Sequence, residues 1–489
     1  MSDDKNEIRI SENAKQAPNL SESTVKENDR FMRLLRDQDH AVNAQGLKNQ
    51  EIDVDYKSDD MKEAIREDDF SNLIKNKTQE SQGEEKMKTA VMKQYVSLKF
   101  GVVGSGQAGG RIAEVFYKYG YSACAINTAR QDLEFLDLPD ESKLFIGEEN
   151  LGGAGRDLEF GLAAVEDNEE EVKEFLDTHL ADADVAVLAL AGGGGSGSGS
   201  AELLIEYLSA IGLPIVVIYA LPGTFDDPQS KHNAIQTLSK IADYVNRQVV
   251  NSLVLVDNAK IEMTYPDLSP AAFWKTANNA VVEPLHMFNS VSAMPTDYES
   301  LDSMDFAKSL VEAGNCVVFG QNSVTPEEYE EDETALLEAM VDNLENGLLA
   351  GGFKLEEAQN VGILITANQS VLEKIPNNSL SYVFKYITEE YESARSFKGI
   401  YAIPSDNDDI TIRFIFSGLG LPKERVDNLK TEAKKHMETL DAKKKTTTMG
   451  VDLGKDKTAN KADRAMDKIK RKKSAIGRLK NRAKTPRRR

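Results

Sequence analysis

The sequence predicts an α/β fold with a doubly wound, parallel-sheet domain, then a central helix and a second, mixed α/β domain. Two observations predict it. From Val96 onward, short β-branched runs such as KFGVVG, DVAVLALAG and PIVVIYAL alternate with helix-like stretches, a pattern typical of parallel strands joined by crossover helices. The runs are continuously apolar, as expected for strands that are buried on both faces of a sheet.

The same pattern sets the expected domain boundaries. Strand-like runs between 96 and 268 form the first domain, which also carries the glycine loops considered below. A long helical stretch at 269–295 separates it from a second domain at 296–440, which has fewer strands than a fully parallel sheet would need. In that domain GIYAIP and ITIRFIFSG flank the turn residues SDND, and this spacing predicts a β-hairpin.

Both ends of the chain differ in composition from the interior. Residues 1–95 are polar, charged and poor in aromatic side chains, which predicts a disordered leader. The formal net charge is -22, yet residues 443–489 hold 19 lysines and arginines against four acidic residues. We therefore expect a flexible basic tail at 441–489. The acidic body disfavours general adhesion to nucleic acid or anionic membranes, whereas the tail suits an anionic partner.

Cysteine content and hydropathy indicate the compartment. Cys124 and Cys316 lie inside strand-like runs, where two thiols make neither a disulfide framework nor a zinc site. No run approaches the roughly 18 uncharged apolar residues of a membrane span, and no apolar stretch follows the N-terminus as in a signal peptide. We therefore expect a cytoplasmic protein without a membrane span, and we assign no side chain as a direct metal ligand.

The strongest functional signal is a glycine-rich turn between the apolar run DVAVLAL and the helix-like AELLIEYL. Glycines let backbone N–H groups approach phosphate oxygens, hydroxyls add donors, and a helix N-terminus favours negative charge. A flexible linker is the alternative, but a linker would not separate a buried strand from a helix. The predicted phosphate ligands in this turn are Gly193, Gly194, Gly195, Ser196, Gly197 and Ser198.

Two further glycine loops also follow strand-like runs. The earlier one, GSGQAGG, satisfies GxGxxG, which by itself suggests a dinucleotide-dependent enzyme. Such an enzyme would need an acidic ribose ligand about 20 residues on, and the end of the next strand offers Asn127 instead. Three glycine loops at successive strand ends suit a polyphosphate. The candidates in these two loops are Gly106, Gln107, Ala108, Gly109, Gly153, Ala154 and Gly155.

Together these motifs resemble the tubulin/FtsZ superfamily over roughly residues 99–440. GGGSGSG resembles the signature GGGTGSG, with Ser196 in place of threonine, and GQAGG is similar to GQAGN of tubulin. AINTARQDL is similar to VNTDAQAL of FtsZ, with Ala129 in place of an aspartate near the nucleotide, and LGGAGRD to GLGAGAN. The resemblance implies the tubulin/FtsZ fold and a filament-forming GTPase that binds GTP or GDP with Mg²⁺.

The resemblance also implies phosphate and ribose contacts. Gln107 and Ala108 would lie at the phosphates and metal, and Asn127 near the ribose or base. In PGTFDDPQSKHNA, Asp227 is similar in position to the acidic ribose contact of the family. Lys231 stands where FtsZ has arginine, so a flexible point charge would replace a planar fork.

Recognition of the base is implied by two further segments. VDNAK resembles VDNEA of tubulin, which makes Asn258 the expected guanine contact, because an amide both donates and accepts. In the following helix, either Phe273 or Trp274 would stack on the base. Asn278 would complete base recognition where FtsZ has aspartate.

Hydrolysis in this family occurs at a junction between subunits, because the catalytic carboxylates come from a loop of the next subunit. FtsZ reads NxDxxD in that loop, and here Asp302 and Asp305 keep the spacing while Ser300 replaces asparagine. A second register pairs Ser303 with the asparagine and places Lys308 at the second acid, so Asp305 is catalytic in both. Carboxylates would orient or deprotonate the attacking water. The alternative is an acidic turn before a helix.

The basic tail makes the chain resemble the TubZ-type plasmid and phage tubulins more than FtsZ. This implies a head-to-tail homopolymer that positions or segregates plasmid or phage DNA, through a DNA-bound adaptor or through the tail itself. Three alternatives stay open: an FtsZ-like cell-division scaffold, a non-hydrolysing structural filament, and a dinucleotide-dependent enzyme.

Overall fold

The computed structural model describes residues 95–148, 152–264, 269–347, 352–405 and 407–446. The predicted leader, apart from Tyr95, and the predicted tail from residue 447 onward lie outside the described residues. The residues up to Lys435 belong to one compact unit, and every contact discussed below lies within it. The last helix continues to Thr446, so residues 441–446, which were assigned to the tail, are helical.

Within the described residues, ten strands form one sheet in the order β3-β2-β1-β4-β5-β6-β7-β10-β8-β9. Strands β1 to β6 pair in parallel, which confirms the predicted parallel half. The second half is mixed, because β10 runs antiparallel to both β7 and β8. The strands are β1 (Phe100–Ser105), β2 (Ser122–Asn127), β3 (Lys143–Phe145), β4 (Val185–Ala191), β5 (Ile215–Leu221), β6 (Ser252–Asp257), β7 (Cys316–Val324), β8 (Asn360–Ala367), β9 (Arg395–Ala402) and β10 (Ile410–Leu419).

Helices connect these strands and cover the sheet. The described helices are α1 (Gly106–Lys118), α2 (Arg130–Glu134), α3 (Leu158–Asp167), α4 (Glu169–Leu180), α5 (Gly195–Ile211), α6 (Pro228–Asn246), α7 (Asn258–Thr264), α8 (Pro270–Val291), α9 (Ser303–Ala307), α10 (Pro326–Glu331), α11 (Ala335–Asn346), α12 (Gln369–Leu372), α13 (Asn377–Glu390) and α14 (Lys423–Thr446). Helix α9 continues into one π-helical turn, Lys308–Glu312.

The parallel strands are buried on both faces, as their continuous apolar runs predict. Val103 and Leu188 point into a core layer that includes Leu204 of α5, whereas Val102 packs in a second layer with Phe116 of α1. Successive side chains of a strand alternate between faces, so neighbouring valines of β1 serve the two layers. Helices on both faces of the sheet make the first domain doubly wound.

The predicted hairpin is wrong. Strand β9 pairs in parallel with β8, while β10 lies between β7 and β8. Phe414 and Phe416 of β10 are fully buried, whereas Arg395 at the start of β9 is exposed. A strand buried along its length gains most from a central position, so β10 takes that position and β9 becomes the edge.

The long helix α8 lies within the predicted range 269–295. Ser269 caps its first turn by accepting a hydrogen bond from the N–H of Ala272, and Pro270 occupies the first helical position, where it has no N–H to leave unsatisfied. Farther along, Val282 and Phe288 are completely buried in the second core layer. The helix therefore connects the two halves of the sheet through the core.

Candidate nucleotide site

The first glycine loop turns the chain from β1 into α1. Gly106 adopts φ +71°, a left-handed conformation that favours glycine. A Cβ on Gly109 would lie 2.1 Å from the carbonyl oxygen of Ala189, and one on Gly106 would lie 3.0 Å from the nitrogen of Gly197. Only glycine therefore lets α1 pack on β4 and lets the first loop lie against the loop that follows β4.

The loop after β4 leads into α5 and leaves open space beside the helix N-terminus. Gly194 is the N-cap, and a Cβ there would meet nothing within 4 Å. The first N–H groups of a helix have no partner inside it, so this cradle fits a phosphate. Ser198 donates its hydroxyl to the carbonyl of Gly192 at 2.6 Å, and thus stabilises the turn. Ser196 Oγ lies 2.5 Å from Thr128 Oγ1, at the end of β2.

The third loop packs against the same helix start. Gly153 and Gly155 have φ of +116° and +55°, and a Cβ on Gly155 would meet nothing within 4 Å. A Cβ on Gly195 would lie 2.6 Å from that of Ala154, so the two loops are in close contact. The structure therefore brings all three predicted glycine loops together at the carboxyl ends of the parallel strands.

Asp227 lies beside these loops, at the start of α6. Its carboxylate caps the helix by accepting hydrogen bonds from the N–H groups of Gln229 and Ser230 and from the Ser230 hydroxyl. Arg156 Nη1 of the third loop lies 3.1 Å from it. Burial favours a higher pKa for Asp227, but the hydrogen bonds from Ser230 and the charge of Arg156 outweigh it and lower the pKa. Asp227 is therefore an anion that joins two loops.

The Lys231 side chain makes contacts other than the predicted contact with the ribose. Its ammonium is buried and donates to the carbonyl of Thr224 at 3.0 Å and to Glu432 of α14 at 2.7 Å. The face of α6 that carries Lys231 packs toward α14, which the sequence pattern did not reveal. This geometry does not support Lys231 as a ribose contact. In its place, Arg156 pairs with Asp227, and the sequence interpretation had not singled out that side chain.

A pocket lies between α1, α7 and α8. Its apolar wall includes Ala220 and Val256. Its polar lining includes three side chains predicted to contact the nucleotide, each from a different segment: Gln107, Asn258 and Asn278. Phe273 packs edge-on against Trp274, with ring centroids 5.1 Å apart, and rests on the core, so only Trp274 of the two candidate aromatics lines the pocket. Such a site suits a flat aromatic base with polar edges. The predicted residues brought together here are Gln107, Ala108, Asn258, Trp274 and Asn278.

Two residues near this pocket were missed from the sequence. Arg425 of α14 holds Asp257 through two hydrogen bonds, of 2.6 and 3.0 Å, which fixes the end of β6 directly before Asn258. Asp132 of α2 accepts hydrogen bonds from Gln107 and Asn127. The Arg425 contact joins residues 168 positions apart, so no local pattern could indicate it.

The predicted catalytic acids lie at the other end of the sheet. Asp302 is exposed and caps α9 by accepting from Met304 N at 2.8 Å. Asp305 lies 2.8 Å from Arg395 of β9. Ser303 Oγ lies 2.9 Å from Ser97 Oγ, just before β1 begins. At about 3.3 Å per residue, the six residues of β1 span about 20 Å, so one subunit does not bring these acids to its own glycine loops.

Comparisons with known proteins agree with this geometry. Residues 99–265 match the model of the Tubulin/FtsZ family GTPase domain, and residues 288–430 match the TubZ-like C-terminal domain. The tubulin-like protein CetZ of Pyrococcus abyssi is 26% identical over 70% of this chain and 91% of its own length. The tubulin-like protein TubZ of Bacillus cereus is 23% identical over 72% of this chain and 87% of its own.

Solved structures show the same fold. A GTPγS-form protofilament of TubZ from Bacillus thuringiensis serovar israelensis aligns with a TM-score of 0.63 at 20% identity, covering 72% of this chain and 96% of that one. A GTPγS-bound protofilament of CetZ2 from Haloferax volcanii aligns with a TM-score of 0.59 at 22% identity, covering 70% of this chain and all of that one.

The fold and the converging glycine loops define a nucleotide-binding protein of the tubulin type. The chain belongs to the tubulin/FtsZ superfamily, with its GTPase domain followed by a TubZ-like C-terminal domain, and the GTPase domain makes it a GTPase. CetZ and TubZ relatives match it comparably well. Among the described residues, no helix is long and apolar enough to cross a membrane.

Proposed function

We propose that subunits of this chain stack head to tail and hydrolyse GTP at each junction. The observation that carries the proposal is the separation of the two halves of the site. The glycine loops follow the carboxyl ends of the parallel strands, whereas Ser303, which lies between Asp302 and Asp305, contacts Ser97, three residues before β1 begins. Stacking along the strand direction would set the acids of one copy over the glycine loops of the next.

The residues at the glycine-loop end fit a guanine nucleotide. Backbone N–H groups at Gly106, Gly155 and Gly194 would bind the phosphates, while Trp274 would stack on the base between the amides of Asn258 and Asn278. Mg²⁺ would neutralise phosphate charge. No cluster of three potential ligands that could hold a metal occurs in the described parts of the chain, so phosphate oxygens would supply much of its coordination.

Complementation between two inactive variants tests the junction. Asp302→Asn with Asp305→Asn removes the acids but keeps the glycine loops. Gly194→Asp places a carboxylate beside the α5 N-terminus, where its Cβ would meet nothing within 4 Å and its charge would repel phosphate. Each variant alone should hydrolyse GTP at least tenfold more slowly, and a mixture should regain activity. No recovery in mixtures that co-assemble would contradict hydrolysis between subunits.

We further propose that the filaments act in the cytoplasm and position plasmid or phage DNA through the basic tail or a DNA-bound adaptor. The TubZ-like C-terminal domain and the 19 basic residues at 443–489 support this. Sedimentation of filaments with DNA tests it, because phosphate contacts weaken by orders of magnitude between about 50 and 200 mM salt. A full-length variant with glutamine for every lysine and arginine in 468–489 should lose the salt-sensitive binding.

An FtsZ-like cell-division scaffold is the second candidate, because the GTPase domain matches the model of the Tubulin/FtsZ family as a whole. The same sedimentation experiment separates the two. DNA positioning is contradicted if the wild-type filaments do not sediment with DNA at low salt. The test is made without and with an extract of the cells that carry this gene, which would supply any adaptor. Assembly of those filaments into a ring at the membrane would then support the scaffold.

A further inference from the structure

Asp132 connects two predicted nucleotide contacts through its two carboxylate oxygens. Gln107 Nε2 donates to Oδ1 at 3.0 Å, and Asn127 Nδ2 donates to Oδ2 at 3.3 Å. Gln107 belongs to the first glycine loop, and Asn127 ends β2. One short side chain thus fixes the first loop relative to the neighbouring strand end.

The geometry requires a carboxylate at this position. The Asn127 Oδ1 atom accepts from the N–H of Ala129 at 3.2 Å, so the amide is held from both sides and its NH₂ group must face Asp132. An ionised carboxylate offers two acceptor oxygens and no donor. An asparagine at 132 would present its own NH₂ group to one of the two donors.

Asp132 borders open space beside the base pocket. With Gln107 and Arg111 it lines a cavity of about 310 Å³, and these two residues of α1 also line the base pocket. The carboxylate is half-buried and lies at the edge of the site. Its hydrogen bond to Gln107 therefore acts on a side chain that lines both cavities, whereas its hydrogen bond to Asn127 holds a buried amide at the end of β2.

The local packing also explains why the acid lies at 132 and not at 129. Ala129 is buried, and the third glycine loop lies near it, because a Cβ on Gly153 would lie only 3.1 Å from the Ala129 Cβ; a longer side chain at 129 would therefore have to displace its neighbours. Helix α2 begins directly after Ala129. A residue three positions on returns to a similar face of a helix, with room for the carboxylate.

We propose that Asp132 is a positioning residue for the nucleotide. It orients the amides of Gln107 and Asn127 so that both meet the bound nucleotide, and it supplies the carboxylate that Ala129 lacks. This inference rests on the proposed GTP site but concerns an additional residue. Because Asp132 acts through two other side chains, its effect must disappear when they are removed.

A double-mutant cycle measured by titration calorimetry with GTP and Mg²⁺ tests this dependence. Asp132→Ala and Asp132→Asn should each weaken GTP binding about tenfold, the loss expected for one hydrogen bond to a charged group. In a Gln107→Ala, Asn127→Ala background, Asp132→Ala should change the affinity less than twofold. The nucleotide-free single variants should stay folded, with only a small fall in melting temperature, because the Asn127 amide loses one acceptor.

Asp137→Ala is the matched control, because it removes an exposed carboxylate from the same segment without touching either amide, and it should leave the affinity unchanged. Equal losses from Asp132→Ala in both backgrounds would overturn the inference, as would a fall in melting temperature that accounts for the weaker binding. If the wild type bound no guanine nucleotide, the proposed function itself would fail. If it bound GTP and the Asp132 variants bound equally well, only the role of Asp132 would fail.

Discussion

The side-chain oxygens of Ser97 and Ser303 lie 2.9 Å apart, which ties the start of α9 to the segment that leads into β1. Gly106 follows directly on the other end of the same strand. Each subunit therefore carries a nucleotide cradle at one end and two acids at the other. In the proposed stacking, a head-to-tail contact between these two ends would repeat from subunit to subunit and build a filament where the rotation does not close.

The fluorescence of Trp274 allows binding of the base to be measured directly. It is the only tryptophan in the chain and lines the base pocket, so GTP should change its fluorescence. Trp274→Ala should weaken GTP binding by about 1–3 kcal/mol, the usual contribution of base stacking, as measured by calorimetry. Phe273→Ala is the comparison, because Phe273 packs against the core and edge-on against Trp274 but does not line the pocket, so its loss should lower stability more than affinity. Calorimetric binding with unchanged Trp274 emission would contradict this placement.

Substitutions at Gly109 and Gly194 distinguish a glycine that is needed for packing from one that is needed for binding phosphate. Gly109→Ala would force a methyl group to within 2.1 Å of the Ala189 carbonyl oxygen, and we expect about 1–3 kcal/mol of lost stability from such overpacking. Gly194→Ala meets nothing in the chain and should keep stability while weakening GTP binding. Thermal melts of the nucleotide-free variants and GTP titrations measure the two effects. A destabilised Gly194→Ala would show that the cradle is not open.

Lys231 distinguishes a structural contact from a ribose contact. Lys231→Met leaves the Thr224 carbonyl without its donor and Glu432 without its partner, and should lower the free energy of unfolding by about 2 kcal/mol. Glu432→Gln should cost less, because Glu432 is half-exposed, and the double variant should be less than additive. A tenfold loss of GTP affinity without loss of stability would restore the role predicted from the sequence.

The pairing of Asp305 with Arg395 defines a further test. If Asp305 acts on the nucleotide of a neighbouring subunit, Asp305→Asn should slow GTP turnover at least tenfold. Arg395→Ala removes only the exposed partner and should keep turnover within threefold. Steady-state hydrolysis at saturating protein concentration measures both. Equal losses in the two variants would indicate that Asp305 serves the ion pair, and Asp302→Asn would then identify the remaining acid.

The parallel half of the fold and the glycine loops could be predicted because each depends on local pattern. Continuous apolar strands and glycines with positive φ leave signals within a few residues. The order of β9 and β10 could not be predicted, because it depends on which strand the whole sheet buries more deeply. The partners of Lys231 and Asp257 were also hidden, because α14 lies about 170 to 200 positions farther along the chain.

Asp132 was missed for a different reason. The resemblance to FtsZ directed attention to position 129, where alanine replaces the acid, and the compensating carboxylate lies one helical turn later. The short α2 helix that brings it back to the site has only five residues, too few for a periodic pattern to be recognised. Local sequence therefore indicated the missing acid but not its replacement.

The most direct measurement of the central claim is the GTP hydrolysis rate per subunit as a function of protein concentration, followed together with light scattering. Since the acids and the glycine loops of one subunit lie at opposite ends of β1, we expect a negligible rate in dilute solution and a steep rise at the concentration where scattering appears. A rate per subunit that stays constant down to concentrations without assembly would contradict hydrolysis at the junction.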